Sequence, residues 1–175
     1  MKCNILKIWV FFCFAAILFA CNPYEKLPDE TLLTYISCNK TLDSLSQECL
    51  RIYYTFQDGD GNIGLNTKDT LPPFDIFPHN SNFYIYVLDK DNSGDFKVMM
   101  VDTTEIYYAY RIAPFDVPGA LKGSLTLDIT AFDFASVKAL SKNKVIRFDA
   151  FMYDRNLVKS NIAVSDEISV EDGHE

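Results

Sequence analysis

The chain has 175 residues, with 16 Lys and Arg against 24 Asp and Glu, for a formal charge of −8 at pH 7. That length suits one domain with a real core, and so acidic a balance argues against a nucleic-acid partner, which needs basic patches facing phosphates. The 10 Tyr and 14 Phe suit strands better than helices.

The first element stands apart from that domain. Lys2 and Lys7 flank the start of Ile8–Ala20, an uninterrupted apolar run of 13 residues. It is too short to span a hydrocarbon core as a helix, and it has the length and charge of a secretory signal. The run closes on Leu18-Phe19-Ala20-Cys21. This resembles the bacterial lipobox, in which a small residue precedes a cysteine that is acylated and becomes the mature N-terminus, although Phe19 is bulkier than the usual residue. The competing reading is an uncleaved anchor or a signal cut elsewhere. The expected organisation is a lipoprotein signal peptide over 1–20, a tether over 21–30, a folded domain over 31–171 and an acidic tail over 172–175. Cys21 is the expected lipidation site, each buried acyl methylene contributing about 0.8 kcal/mol. Removing Lys2 and Lys7 takes the charge to −10, so the membrane partner is reached through lipid rather than by attraction to anionic headgroups. The expected location is the cell envelope, at the outer membrane.

Asn22–Glu30, NPYEKLPDE, has two prolines, three acids and no periodicity, as a tether should. Of the five cysteines, Cys3 and Cys13 leave with the signal and Cys21 takes the lipid. Cys38 and Cys49 remain as an even pair in an exported chain, and the expectation is a disulfide between them. The alternative is two buried free thiols. With no histidine or third cysteine nearby, zinc is disfavoured.

Thr31–Ser46 fits a strand or a short helix equally well. Beyond it the chain alternates with period two. Leu50, Ile52, Tyr54 and Phe56 share one face of Leu50–Gln57. Phe83–Asp89 is apolar on both faces, as in a central strand. The turn Asp91-Asn92-Ser93-Gly94 joins it to Phe96–Val101 in a hairpin. Further strands are expected over Glu105–Ile112, Ser124–Thr130, Lys144–Tyr153 and Ile162–Val170, the last broken at Asp166 by a bulge or an edge. Between Pro72-Pro73 and Asn82 runs a long loop, and Ile129–Ser141 reads as a short helix or turn crossing between strands. Seven strands with at most one short helix predict an all-β, two-sheet sandwich.

Asp58-Gly59-Asp60-Gly61-Asn62-Ile63-Gly64 is the most distinctive internal motif. Alternating oxygens at Asp58, Asp60 and Asn62 are the donors with which a calcium loop begins, and Asp69 falls at its twelfth position. Against this, Ile63 sits where the sharp turn needs Gly, and strands flank the loop. The favoured expectation is a structural turn without a cofactor, with Ca²⁺ on Asp58, Asp60 and Asn62 as the alternative. Two aspartates so close repel each other, and Arg155 is the candidate structural partner, its fork able to serve two carboxylates. Asp89–Asp95 reads as a plain hairpin turn. Only His79 and His174 remain after the signal, and no Ser or Cys has a nucleophile-elbow context. No pair of acids is singled out for glycoside hydrolysis. Tyr53, Tyr84, Tyr86, Tyr107 and Tyr108 lie on strands; the favoured expectation packs their rings in the core with hydroxyls at the rim, and a sugar-stacking face is the alternative.

The stretch Phe56–Gly64 resembles an F-x-D-x-D-G-D/N-I-G signature of small lipoproteins from Bacteroidetes, and Asp154-Arg155 followed by Ser160-Asn161 resembles their C-terminal D-R-x-x-x-x-S-N stretch. The resemblance implies an immunoglobulin-like β-sandwich at the outer membrane or cell surface, with no catalytic residues and no ligand carried over. The expectation is a lipid-anchored envelope protein with a non-catalytic binding or assembly role and a glycan or protein partner. The alternative is a carboxylate-dependent glycan-processing enzyme.

Overall fold

The computed structural model describes residues 27–115 and 119–171. The expected signal segment, Cys21, the start of the expected tether, and the tail with His174 lie outside the described residues.

Alternation builds the centre of the fold. In β2 (Glu48–Asp58), Leu50, Ile52, Tyr54 and Phe56 are all buried, and Arg51, Tyr53 and Thr55 point the other way. β2 pairs antiparallel with β1 (Leu32–Leu42) on one side and β8 (Leu121–Ile129) on the other. The second sheet is centred on β3 (Phe83–Lys90) and β9 (Val145–Met152), antiparallel neighbours. β4 (Phe96–Val98) and β7 (Tyr107–Tyr110) share the outer edge of β3, while β10 (Ala163–Val164) and β11 (Ile168–Ser169) share that of β9. The orders β1-β2-β8 and β10-β9-β3-β4 correspond to A-B-E and G-F-C-C′ of an immunoglobulin-type sandwich. The inward residues of both sheets, with Tyr54 set edge-on to Phe83 at 5.4 Å, form one core. The chain is thus an all-β sandwich with one described helix.

That helix, α1 (Ala131–Leu140), carries the chain from β8 to β9. Thr130 caps it: its Oγ1 accepts from Asp133 N at 3.2 Å and donates to Asp133 Oδ2 at 2.7 Å. Phe134 and Val137 turn inward, while Phe132 is left 81% exposed.

Three expected strands are broken at the edges. At Val87 the edge of β3 passes from β4 to β7. Met99 N donates to Val87 O at 2.8 Å, Val87 N donates to Ile106 O at 3.1 Å, and the residues between bud out as the hairpin of β5 (Met100–Val101) and β6 (Thr104–Glu105). At the other edge Ser160 and Ser165 repeat one device. The N–H of each donates to a β9 carbonyl (Met152 and Phe148, 2.9 Å), and each Oγ accepts from the N–H of the same β9 residue, at 3.0 and 2.8 Å. A hydroxyl thus stands in for a ladder carbonyl, and the chain swings out at Asp166 between β10 and β11. β1 was hidden in the sequence by its bulge. Its register shifts between Tyr35 and Ser37, leaving Ile36 54% exposed.

The expected disulfide is not formed, and Cys38 and Cys49 are both free thiols. Cys38 lies opposite Ile52, on the core face, and Cys49 lies opposite Thr41, three positions along from Ile52 on β2. Strand parity therefore sends the two sulfurs to opposite faces of the sheet.

Candidate functional site

Parity also makes the outer face of the second sheet aromatic. On β3, Phe83, Ile85 and Val87 point into the core, so Tyr84 and Tyr86 point out. On β9 the inward set Ile146, Phe148, Ala150 and Met152 sends Phe151 outward. The ladders place Tyr84 opposite Phe151 and Tyr86 opposite Tyr107. The rings stack: Tyr84–Phe151 at 5.5 Å and 20°, Tyr86–Phe151 at 5.9 Å and 20°, Tyr86–Tyr107 at 5.4 Å and 29°. Tyr153 stands edge-on to Phe151 at 5.7 Å, with His79 edge-on to Tyr153 at 5.0 Å.

One wall comes from the loop after Pro72. Phe77 stands edge-on to Tyr84 at 6.1 Å and Tyr84 Oη donates to Pro78 O, which holds the loop against the sheet. The other wall is Lys159, whose Nζ lies 3.6 Å from the Phe151 ring centroid, a close cation–π contact. Between the walls lies a groove of about 380 Å³, within the range of about 300–1,000 Å³ of ligand sites. Tyr84 and Phe151 form its floor and are largely covered, whereas Tyr86, Tyr107 and Tyr153 are half-buried and Phe77 is exposed. Burial raises the Tyr84 and Tyr86 hydroxyls above their ordinary pKa, and Glu105 adds to this at Tyr86. The Tyr84 proton is engaged by Pro78 O. Of the five tyrosines singled out from the sequence, Tyr84, Tyr86 and Tyr107 share this face. Tyr108 packs against the core, and Tyr53 points out from the first sheet.

A larger hollow of about 600 Å³ lies between the β3–β4 hairpin and the end of α1. In it, Asp89 accepts from Ser141 Oγ at 2.6 Å and Lys142 N at 3.1 Å, and Lys97 pairs with Asp91 at 2.6 Å. Asp91 Oδ1 also accepts from Ser93 N and Asp95 N, which makes Asp89–Asp95 a hairpin turn.

The acidic motif lies at one end of the sandwich. Asp58 closes β2 and is fully buried, Asp60 is exposed, and Ile63 is in the core, bridged to Asp154. Gly61 has φ +70°, and a Cβ there would meet Gly119 O at 2.0 Å, so only glycine fits. Arg155 reaches this loop, yet its expected pairing with Asp58 and Asp60 is replaced by another. Its fork donates to Asp69 at 2.7 and 3.3 Å and to Gly64 O at 3.3 Å, and its backbone N–H donates to Asn62 O at 3.2 Å. Asp69 is brought within reach because its carboxylate also caps Asn66 N at 2.7 Å. Arg155 holds the Asp69 carboxyl below the usual carboxylate range, whereas burial, aided by Asp60, pushes Asp58 up. Among the described residues, no three His, Cys, Asp or Glu side chains stand in a ready metal-holding group.

Comparison of the chain with family models, with curated proteins and with solved structures finds no match in any of the three.

Proposed function

We propose that this chain is a lipid-anchored cell-envelope protein whose β-sandwich binds a glycan in the aromatic groove on its second sheet. The observation that carries this reading is the stacked set Tyr86, Tyr107 and Phe151, flanked by Phe77, Tyr153 and Lys159. Rings of this kind offer flat apolar area to the C–H faces of a sugar, while phenol hydroxyls, Lys159 and Glu105 meet its hydroxyls. One carboxylate, Glu105, is among the groove's lining residues, whereas glycoside hydrolysis works through a pair. This favours binding over processing. The lipid anchor rests on the Ala20-Cys21 junction closing the apolar run.

Binding is tested by screening the mature protein against neutral and acidic oligosaccharides and measuring hits calorimetrically. Tyr86→Ala and Tyr153→Ala should each lose tenfold or more in affinity, about 1.4 kcal/mol, with the fold kept. A hit unaffected by both variants, or a panel with no hit, counts against the groove. The anchor is tested by mass spectrometry of the mature N-terminus: an acylated Cys21 is expected, and Cys21→Ser should release the protein from the membrane fraction.

A further inference from the structure

A tight return of the chain after β9 places Lys159. Asp154 N donates to Val158 O at 3.1 Å, Val158 N donates to Asp154 Oδ1 at 2.7 Å, and Leu157 takes φ +65°. The chain comes back with Lys159 bridged antiparallel to Tyr153, and Ser160 N then donates to Met152 O at 2.9 Å. Residues opposed in this way carry their side chains on the same face. Tyr153 lines the groove, so Lys159 does too, and its Nζ rests over the Phe151 ring.

That ammonium has a ring face but no oxygen. Arg51, Lys90, Lys97, Arg147 and Arg155 each hold a carboxylate at 2.6 to 2.9 Å. The Lys159 side chain makes no hydrogen bond or ion pair among the described residues, in a chain where 24 acids outnumber 16 bases. A ring face meets one side of an ammonium, which carries three donors. Glu105, the other charged residue lining the groove, lies beside Tyr86 and forms no ion pair with Lys159. The groove therefore offers a fixed, unpaired cation beside Phe151 and a carboxylate acceptor beside Tyr86.

We propose, resting on the glycan reading of the groove, that its sugar is acidic and carries a carboxylate or sulfate on the ring that takes the Lys159 ammonium. A ring acid lies at the rim of its pyranose, close to the mean plane. The Tyr86 ring is the neighbour of Phe151 at 5.9 Å, so a sugar laid flat over Tyr86 has its rim at Lys159. Hydroxyls on its other side donate to Glu105, and the opposed charges fix which way round the sugar lies. A neutral sugar leaves the ammonium without an anion, and an amino sugar meets it with like charge. The acids elsewhere on the surface oppose an anion at long range. At about 0.1 M salt the Debye length is about 10 Å, which screens them, whereas a contact pair inside a groove is screened much less.

The experiment is calorimetric titration of the mature protein with uronate oligomers and sulfated galactan oligomers, each beside its neutral counterpart, methyl-esterified or desulfated. At least one acidic oligomer should bind about fivefold or more tighter than its counterpart, the gain expected of a partly exposed ion pair. Which pair shows the difference separates carboxylate from sulfate. The preference should vanish in Lys159→Met and persist in Lys142→Met, an exposed lysine away from the groove. Melting curves check that both variants are folded. Acidic and neutral forms that bind alike, neutral forms that bind alone, a preference kept in Lys159→Met, or one lost equally in Lys142→Met overturns the acidic ligand and leaves the glycan reading standing. A panel with no hit, or a hit unmoved by Tyr86→Ala and Tyr153→Ala, overturns both.

Discussion

The side-chain amide of Asn161 pairs with the backbone of Leu33 as a neighbouring strand would. Leu33 N donates to Asn161 Oδ1 at 2.8 Å, and Asn161 Nδ2 donates to Leu33 O at 2.8 Å. One residue beyond Ser160 thus clasps the edge of the second sheet to β1 of the first, across 128 positions of chain. Asn161→Ala leaves a buried N–H and C=O unpaired together and should cost about 2 kcal/mol in urea denaturation. Asn161→Asp keeps the acceptor, loses the donor and sets a carboxylate against the Leu33 carbonyl. Its deficit should shrink when the medium is acidified.

The Arg155–Asp69 pair should be visible in acid. The folded Asp69 carboxyl is held low, by the Arg155 fork first and the Asn66 N–H second. Its contribution is therefore complete above its unfolded pKa of about 3.9 and is lost as pH falls through the lower folded value. Asp69→Asn should melt below the parent at pH 7, and the two melting temperatures should converge in strong acid. Asp58 has the opposite sign. Its folded pKa is raised by burial first and Asp60 second, so it costs stability at neutral pH and the cost fades on acidification.

Tyr54 carries a hydroxyl with no partner at the centre of the core. Its ring is held by edge-on contacts with Phe83 at 5.4 Å and Tyr35 at 6.0 Å, which phenylalanine would keep. Tyr54→Phe should raise stability by about 1 kcal/mol, read from the denaturation midpoint at unchanged slope.

Alkylation checks the two free thiols, Cys38 and Cys49. Burial pushes the Cys38 thiol up to about 12 and raises Cys49 as well, so little thiolate is present at pH 8. Native protein should label slowly. In denaturant without reductant both cysteines should label at once, and protection of the pair there would restore the disulfide.

The parts of the fold legible in the sequence were the ones buried on a regular period. β2, β3 and β9 sit mid-sheet and alternate or run apolar without a break. β1 escaped because a single extra residue at Ile36 shifts its phase. Alternation puts Tyr84 and Tyr86 on one face of β3, but a strand apolar on both sides does not say which face looks outward, and the expectation of core packing fails for Tyr84, Tyr86 and Tyr107. The same alternation that sends Phe148 and Met152 inward on β9 also points Phe151 and Tyr153 outward. Phe77 and Lys159 arrive from loops, and no periodicity could place them. The disulfide failed for a related reason: a short polar span says that two cysteines can approach, but parity decides whether they face each other. Arg155 was rightly brought to the acidic loop, yet its carboxylate came from Asp69, which turn geometry around Asn66 delivers.

The entry of the chain into the fold bears on how the domain carries load. Pro28 O accepts from Gly59 N at 2.8 Å, Thr31 bonds Asp58, and β1 then runs antiparallel along β2 from Leu32, opposite Gln57, to Leu42, opposite Glu48. A pull on the N-terminal segment along the strand axis therefore drags β1 lengthwise against β2. Their cross-strand bonds are strained together, in shear, instead of opening one after another like a zip. The first groups to feel the tension are Gly59 and Asp58, at the start of the acidic loop, so whatever stiffens that loop also stiffens the point at which force enters the sandwich.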